Sequence, residues 1–319
     1  MTVIVRGILV IASCTLLVVD GLNVFPDLFS KQQLPRVQPP PNFVAPEPKP
    51  LAITEGTDLK GFATASAGLV LRLATGAFVL GWKVDTLFSD DESKYALKLG
   101  PLRLRDSSSV LNDAPRPSNT LVLFDNEASP NCKRVREMLN LLDITFEVRP
   151  CFEDTETDYP VPFLIDPNIE STIVGDDDII EHLLEEYGPT NDLYDRKALW
   201  PIEFRSFALL TGRIAAQLRG SPGRTQQLNA RPDVMDMKPI ELWCYECSPF
   251  VRPVKEKLAQ LGLPHKIVSC SRGSKNRDAM VERTGRFQVP FIVDENTGIE
   301  MFEGPEIVDY LDTVYTTSE

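Results

Sequence analysis

The chain matches itself, and that constrains its fold more than any other feature. Leu121–Leu139 (LVLFDNEASPNCKRVREML) and Ile240–Leu258 (IELWCYECSPFVRPVKEKL) align without gaps at an offset of 119, where Cys151 also falls on Cys270. After nine extra residues in the second copy the offset is 128. Val161-Pro162-Phe163-Leu164-Ile165-Asp166 then meets Val289-Pro290-Phe291-Ile292-Val293-Asp294, and Ile179–Leu183 meets Ile307–Leu311. Self-similarity on this scale means one supersecondary unit used twice.

Each copy reads as an α/β module. A short apolar strand (121–124; 240–243) runs into a loop ending Ser-Pro. Ser129 and Ser248 suit helix N-caps, and Pro130 and Pro249 suit the first helical position. Val135, Met138, Leu139 and Leu142 predict the buried face of the first helix; Val254, Leu258 and Leu261 predict that of the second. A parallel second strand (145–149; 265–269) follows through a right-handed crossover. Third strands are predicted at 161–165 and 287–293, fourth strands at 172–174 and 300–302, and closing helices at 178–187 and 306–314. The order is βαβ-ββα. Pro253, one turn into the second module's predicted helix, removes a backbone donor and predicts a distorted corner.

The predicted organisation is a targeting segment and Pro-rich linker (1–58), helix and linker (59–119), module one (120–188), helix and basic linker (189–238) and module two (239–319). Gly7–Val19 is a thirteen-residue, mostly apolar run after one positive charge, which suits the h-region of a signal peptide. Residues 33–50 hold seven prolines and exclude helix and central strand; a disordered linker is predicted there. Gly61–Trp82 is long enough to span a membrane. Arg72 at its centre would cost about 2.5–3.5 kcal/mol, so a docking helix is predicted instead. Leu69, Leu73, Ala77 and Leu80 form its apolar stripe, and Phe207, Leu210, Ile214 and Leu218 form one before module two. Both stripes are expected to be buried against the modules. A membrane contact through 61–82, if any, is peripheral.

Charge narrows the partners. Of a net −13, residues 121–188 hold 17 Asp/Glu against 4 Lys/Arg, and this excludes a general nucleic-acid binder. Six cysteines in 319 residues are too few for a disulfide scaffold.

Ser-Pro at the first helix and Val-Pro before the third strand together resemble the thioredoxin fold of glutaredoxins and of glutathione transferase N-terminal domains, here as two tandem modules. Ser269–Ser274 (SCSRGS), Gly285–Gly298 (GRFQVPFIVDENTG) and Met301–Leu311 (MFEGPEIVDYL) are similar to plant and algal plastid proteins with two such modules. The resemblance implies a plastid location through the N-terminal segment, with the secretory pathway or membrane association as alternative. It also implies glutathione, or a thiol-containing partner protein, as ligand. Val161-Pro162 and Val289-Pro290 resemble the cis-proline turn that pairs with the cysteinyl backbone of glutathione. Glu303-Gly304 keeps the Glu of the transferases' γ-glutamyl-binding Glu-Ser pair and loses the hydroxyl; Gly175-Asp176 loses both.

Glutaredoxins place Cys-Pro-x-Cys at this corner. Ser129-Pro130-Asn131-Cys132 keeps the second cysteine, and Ser248-Pro249-Phe250-Val251 keeps neither. Cys132, in the first helical turn beside Lys133, Arg134 and Arg136, is either a working thiol of lowered pKa or a cysteine packed under the loop. Ser248 and Ser129 match the serine that steadies a glutathione thiolate in tau-class transferases. Cys247 with Cys270 is a candidate redox pair. Cys244-x-x-Cys247 with His265 and Cys270 does not make a zinc site, because His265 and Cys270 lie at opposite ends of one strand. Two functions follow: a glutathione- or thiol-binding protein with weak oxidoreductase or transferase activity, or a non-catalytic thioredoxin-fold interaction or scaffold protein.

Overall fold

The computed structural model describes residues 37–49, 59–87, 94–99, 102–190 and 196–317, all in one compact unit. The apolar run Gly7–Val19 lies outside them.

In module one, alternate residues of β4 (Leu121–Asp125) and β5 (Phe146–Pro150) are buried, as expected of strands with helices on one face. They pair in parallel around α2 (Pro130–Leu141), β6 (Phe163–Asp166) adds antiparallel to β4, and β7 (Ser171–Val174) adds antiparallel to β6 before α3 (Asp176–Tyr187). Module two repeats this with β8 (Ile240–Cys244), α6 (Arg252–Leu261), β9 (His265–Ser269), β10 (Phe291–Asp294), β11 (Ile299–Phe302) and α8 (Gly304–Tyr315). Each is a thioredoxin fold. The nine-residue insertion of module two contains a helix the sequence reading missed, α7 (Asn276–Thr284), which has little apolar periodicity to announce it.

The two modules share one eight-stranded sheet, in the order β11-β10-β8-β9-β5-β4-β6-β7. Its middle is an antiparallel seam pairing Phe146 with Ile267, Glu147 with Lys266 and Val148 with His265. Glu147 and Lys266 are equivalent at the offset of 119, so the seam lies on a pseudo-two-fold axis relating the copies. Equivalent buried aspartates tie each closing helix to its sheet. Asp166 accepts from Tyr187 (2.6 Å) and bonds His182 Nε2 (2.9 Å); Asp294 accepts from Tyr315 (2.7 Å) and Tyr310 (2.6 Å).

The segments before the modules depart from the sequence expectations. The helix from residue 59, α1 (Leu59–Leu71), stops before Leu73, which holds φ +51° and is exposed, so the stripe through Leu73, Ala77 and Leu80 does not form. Arg72 instead turns inward, donating to Glu137 (3.0 Å), Thr211 (2.8 Å) and the Pro201 carbonyl (3.1 Å). A three-stranded sheet follows in the predicted linker: β1 (Trp82–Leu87), β3 (Leu102–Ser108) and β2 (Leu97–Leu99), with β3 central. Before module two come α4 (Trp200–Glu203) and α5 (Arg205–Gln217). The buried face of α5 is Ala208, Thr211, Gly212, Ala215 and Ala216, not the larger stripe through Leu210 and Ile214. Small residues win because the backbones approach closely: a Cβ on Gly68 of α1 would lie 3.6 Å from that of Ala215.

The prolines of 37–49 exclude helix and strand, yet this segment is held on module two. Val37 is buried, Phe43 packs on Tyr310 with ring centroids 5.3 Å apart, and Arg286 reaches the Pro48 carbonyl at 3.4 Å.

Candidate functional site

In a thioredoxin fold the ligand corner lies where the first strand meets the first helix, beside the loop before the third strand. In module one, Pro130 opens α2 and Ser129 Oγ accepts the Cys132 N–H at 3.4 Å. Cys132 itself is fully buried, and its sulfur accepts the Asn126 N–H at 3.3 Å. Burial, then the Asp125 carboxylate, pushes its thiol far above the ordinary range, against the smaller help of Ser129 and Arg136. The neighbouring cations are drawn to other partners. Arg136 binds Asp125 (2.6 and 2.7 Å), Lys133 binds Glu246 (3.1 Å), and Arg134 binds Asp176 and Asp177 (2.8 Å to the latter).

Helix α5 covers this corner. A Cβ on Gly212 would sit 3.1 Å from that of Pro130, and Arg205 reaches Asp176 at 3.0 Å. Arg134 also donates to the Ile202 carbonyl at 2.9 Å.

The second corner is built differently. Helix α6 begins at Arg252, not at Pro249, with its N–H on the Ser248 carbonyl at 3.1 Å. Pro253 therefore falls in the first turn, where no N–H is needed, and the predicted distortion becomes a late helix start. Ser248 is fully buried. Its hydroxyl, beside the Tyr245 phenol, finds no hydrogen bond of normal geometry among the described residues. Phe62 of α1 covers this corner, its ring 5.2 Å from that of Phe250.

Both Val161-Pro162 and Val289-Pro290 are cis. Glu303 faces module two's corner, but its Oε1 accepts from Gln288 (2.9 Å) and from the backbone N–H of Lys49 (2.6 Å). The Lys49 ammonium meets Glu306 at 2.5 Å. Gly304 explains the lost hydroxyl: a Cβ there would lie 3.0 Å from the Phe250 carbonyl oxygen. In module one the equivalent place is held by Gly175 and Asp176, and Asp176 is bound by Arg134 and Arg205.

The described cysteines are free thiols, all buried. Burial raises Cys247 to about 12, Cys244 to about 12 and Cys151 to about 11. Cys270, raised further by burial, feels Cys244, while Cys247 lies against the Ala74 carbonyl; no Cys247–Cys270 pair is formed. His265 Nδ1 lies 2.9 Å from the Leu263 carbonyl, and no group of metal-ligating side chains assembles among the described residues.

Between the corners lies a cluster of buried charge that the sequence reading missed. Glu127 and Glu246 occupy one repeat position, Arg136 and Lys255 another. They pair crosswise, Glu246 with Arg136 (3.3 Å) and Glu127 with Lys255 (3.4 Å). Lys255 also binds Glu246, and Arg136 reaches Glu127 at 3.4 Å. The signal was in the alignment itself: acid and base recur at matched positions in turn and helix.

The chemistry these corners can perform is narrow. They offer cis-prolines and helix starts, but no accessible thiol, and the carboxylates of Asp176, Asp177, Glu303 and Glu306 at the heads of the closing helices are already bonded. No curated protein and no solved structure matches the chain. The family model described as glutathione S-transferase, N-terminal domain, matches residues 123–191 and again residues 242–319, so each module is similar to that domain, as two tandem thioredoxin-like modules would be.

Proposed function

We propose that the protein is a non-catalytic thioredoxin-fold platform, in which the two ligand corners serve to hold the chain together and present other surfaces. The observation that carries this reading is the state of Cys132. The one cysteine in a glutaredoxin-like position is fully buried, with its thiol held neutral by burial and by Asp125. A thiolate nucleophile requires the opposite environment, electropositive and partly exposed. Covering of the corners by α5 and α1, and of Glu303 by Lys49, supports the same reading. A disulfide-reduction assay with glutathione tests it: no turnover above background is expected, and turnover abolished by Cys132→Ser would overturn it.

A second reading, glutathione binding without catalysis, is favoured by one observation. Module two keeps cis-Pro290 and Glu303 close to the start of α6. Isothermal titration with reduced glutathione separates the two: saturable heat supports the second reading, and its absence the first. The plastid location belongs to the proposal as well, and a fluorescent fusion of residues 1–58 tests it.

A further inference from the structure

We propose that the outer face of the α1–α5 helix pair docks the protein on an anionic lipid surface. These two helices bury their small residues and leave several of their large ones exposed. Ala65 and Gly68 of α1 and Ala208, Gly212 and Ala215 of α5 face inward, where close approach leaves no room for larger side chains. Outward stand Val70 at 70% exposure, Leu73 at 56%, Phe204 at 59%, Leu210 at 61%, Ile214 at 37% and Leu218 at 47%. A helix packed on a soluble protein ordinarily shows the reverse arrangement. Large apolar side chains left exposed along two packed helices point to an interaction site. Trp200, also exposed, stands at one end of the stripe, and such residues favour membrane–water interfaces.

Charge selects the occupant. Helix α1 contains no acid, and Glu203, the acid of α4–α5, is held by Arg196 at 2.6 Å. Lys60 and Arg213 are exposed on the same two helices. In a chain of net −13, this is an apolar face edged with positive charge, complementary to lipid of negative headgroup. A second copy fits less well, because a two-fold contact through this face would set Lys60 and Arg213 against their own kind. Lying flat is the geometry open to it: α1 has 13 residues, about 20 Å of helix against a hydrocarbon core of about 30 Å. Among the described residues no helix is long and apolar enough to cross a membrane. The proposal stands whether or not either corner binds glutathione.

The test is co-sedimentation of the full chain with vesicles of phosphatidylcholine alone and of phosphatidylcholine mixed with phosphatidylglycerol. Binding is expected to the mixed vesicles and to weaken with salt. Leu210→Glu combined with Ile214→Glu should reduce it at least about tenfold, while circular dichroism and melting temperature stay those of the wild type, since both side chains are exposed. Arg213→Glu should weaken binding to mixed vesicles only. Sedimentation unchanged in the double variant would overturn the proposal and assign any binding to residues outside this face. A wild-type dimer in analytical ultracentrifugation that the double variant dissolves would overturn it in favour of a second copy.

Discussion

Half-buried Asp143 and buried His265 show how single groups set the pH response of this fold. Burial raises Asp143 to about 6, against a model-peptide value near 3.8, and lowers His265 to about 4. For Asp143 the folded state holds its proton more tightly, so stability falls as pH rises from about 4 to about 6. For His265 the folded state favours the neutral ring, so stability falls as pH drops from about 6.5 to about 4. The two slopes oppose each other over one window. Asp143→Asn removes the first and keeps the φ of +54°, which Asn tolerates. Its advantage over the wild type should grow from nearly nothing at about pH 4 to about 2–3 kcal/mol at about pH 7, measured by urea denaturation across that range. A pH-independent difference would show that the carboxylate is not ionising in the fold. The thiols give a second residue-scale expectation. At about pH 8 a thiol reagent should leave Cys132, Cys151, Cys244, Cys247 and Cys270 unmodified in the native chain and label them once it is denatured, which peptide mass mapping would read directly.

At the scale of elements, what was legible is what repeats. Strand order and the closing helices could be read because each follows from local chemistry met twice in one chain; the Ser-Pro cap formed at Ser129 and not at Ser248, where the helix starts later. The corner cysteine was placed but its state was not, since a pKa depends on which partners Lys133, Arg134 and Arg136 choose across the fold. Helices α1 and α5 were predicted as elements with the wrong buried faces, because α1 ends before most of its expected stripe and because, on α5, hydrophobic periodicity assumes that large side chains are the buried ones. Close backbone approach reversed that. The proline-rich strap was the least legible, since a segment without helix or strand gives no pattern for its docking. Its anchors are now specific: Phe43 on Tyr310, and the Lys49 N–H on Glu303. Phe43→Ala should weaken the strap by about 1 kcal/mol, and Lys49→Pro should remove the donor to Glu303. Either change is expected to speed protease cleavage within 37–49 several-fold without unfolding the modules. Cleavage no faster than in the wild type would mean that these contacts do not hold the strap.

The whole molecule is a pseudo-dimer in one chain, and its two halves are joined by both backbone and charge. The β5–β9 seam makes the sheet continuous, and below it α2 and α6 face each other through Glu127, Glu246, Arg136 and Lys255. Upstream helices do not simply belong to the module they precede. Helix α5 precedes module two and covers the corner of module one, while α1 precedes module one and touches Phe250 of module two. Cutting the chain before α5 therefore would not release a complete second domain, as it would strip module one of its cover and leave β9 as a bare edge. Unfolding should be a single cooperative transition, with equal calorimetric and van't Hoff enthalpies. Glu246 is the residue on which this can be tested. It binds Arg136, Lys133 and Lys255, so Glu246→Ala leaves three buried cations short of one carboxylate. Removing one partner from a buried ion cluster costs about 3–5 kcal/mol, which lowers the melting temperature by on the order of 10 °C for a chain of this size. The exposed pair of Arg196 with Glu181 should matter by less than about 1 kcal/mol when broken. The expected result for Glu246→Ala is one transition, shifted as a whole. Two transitions, of which only module two's moves, would mean that the halves fold independently and that seam and cluster merely adjoin them.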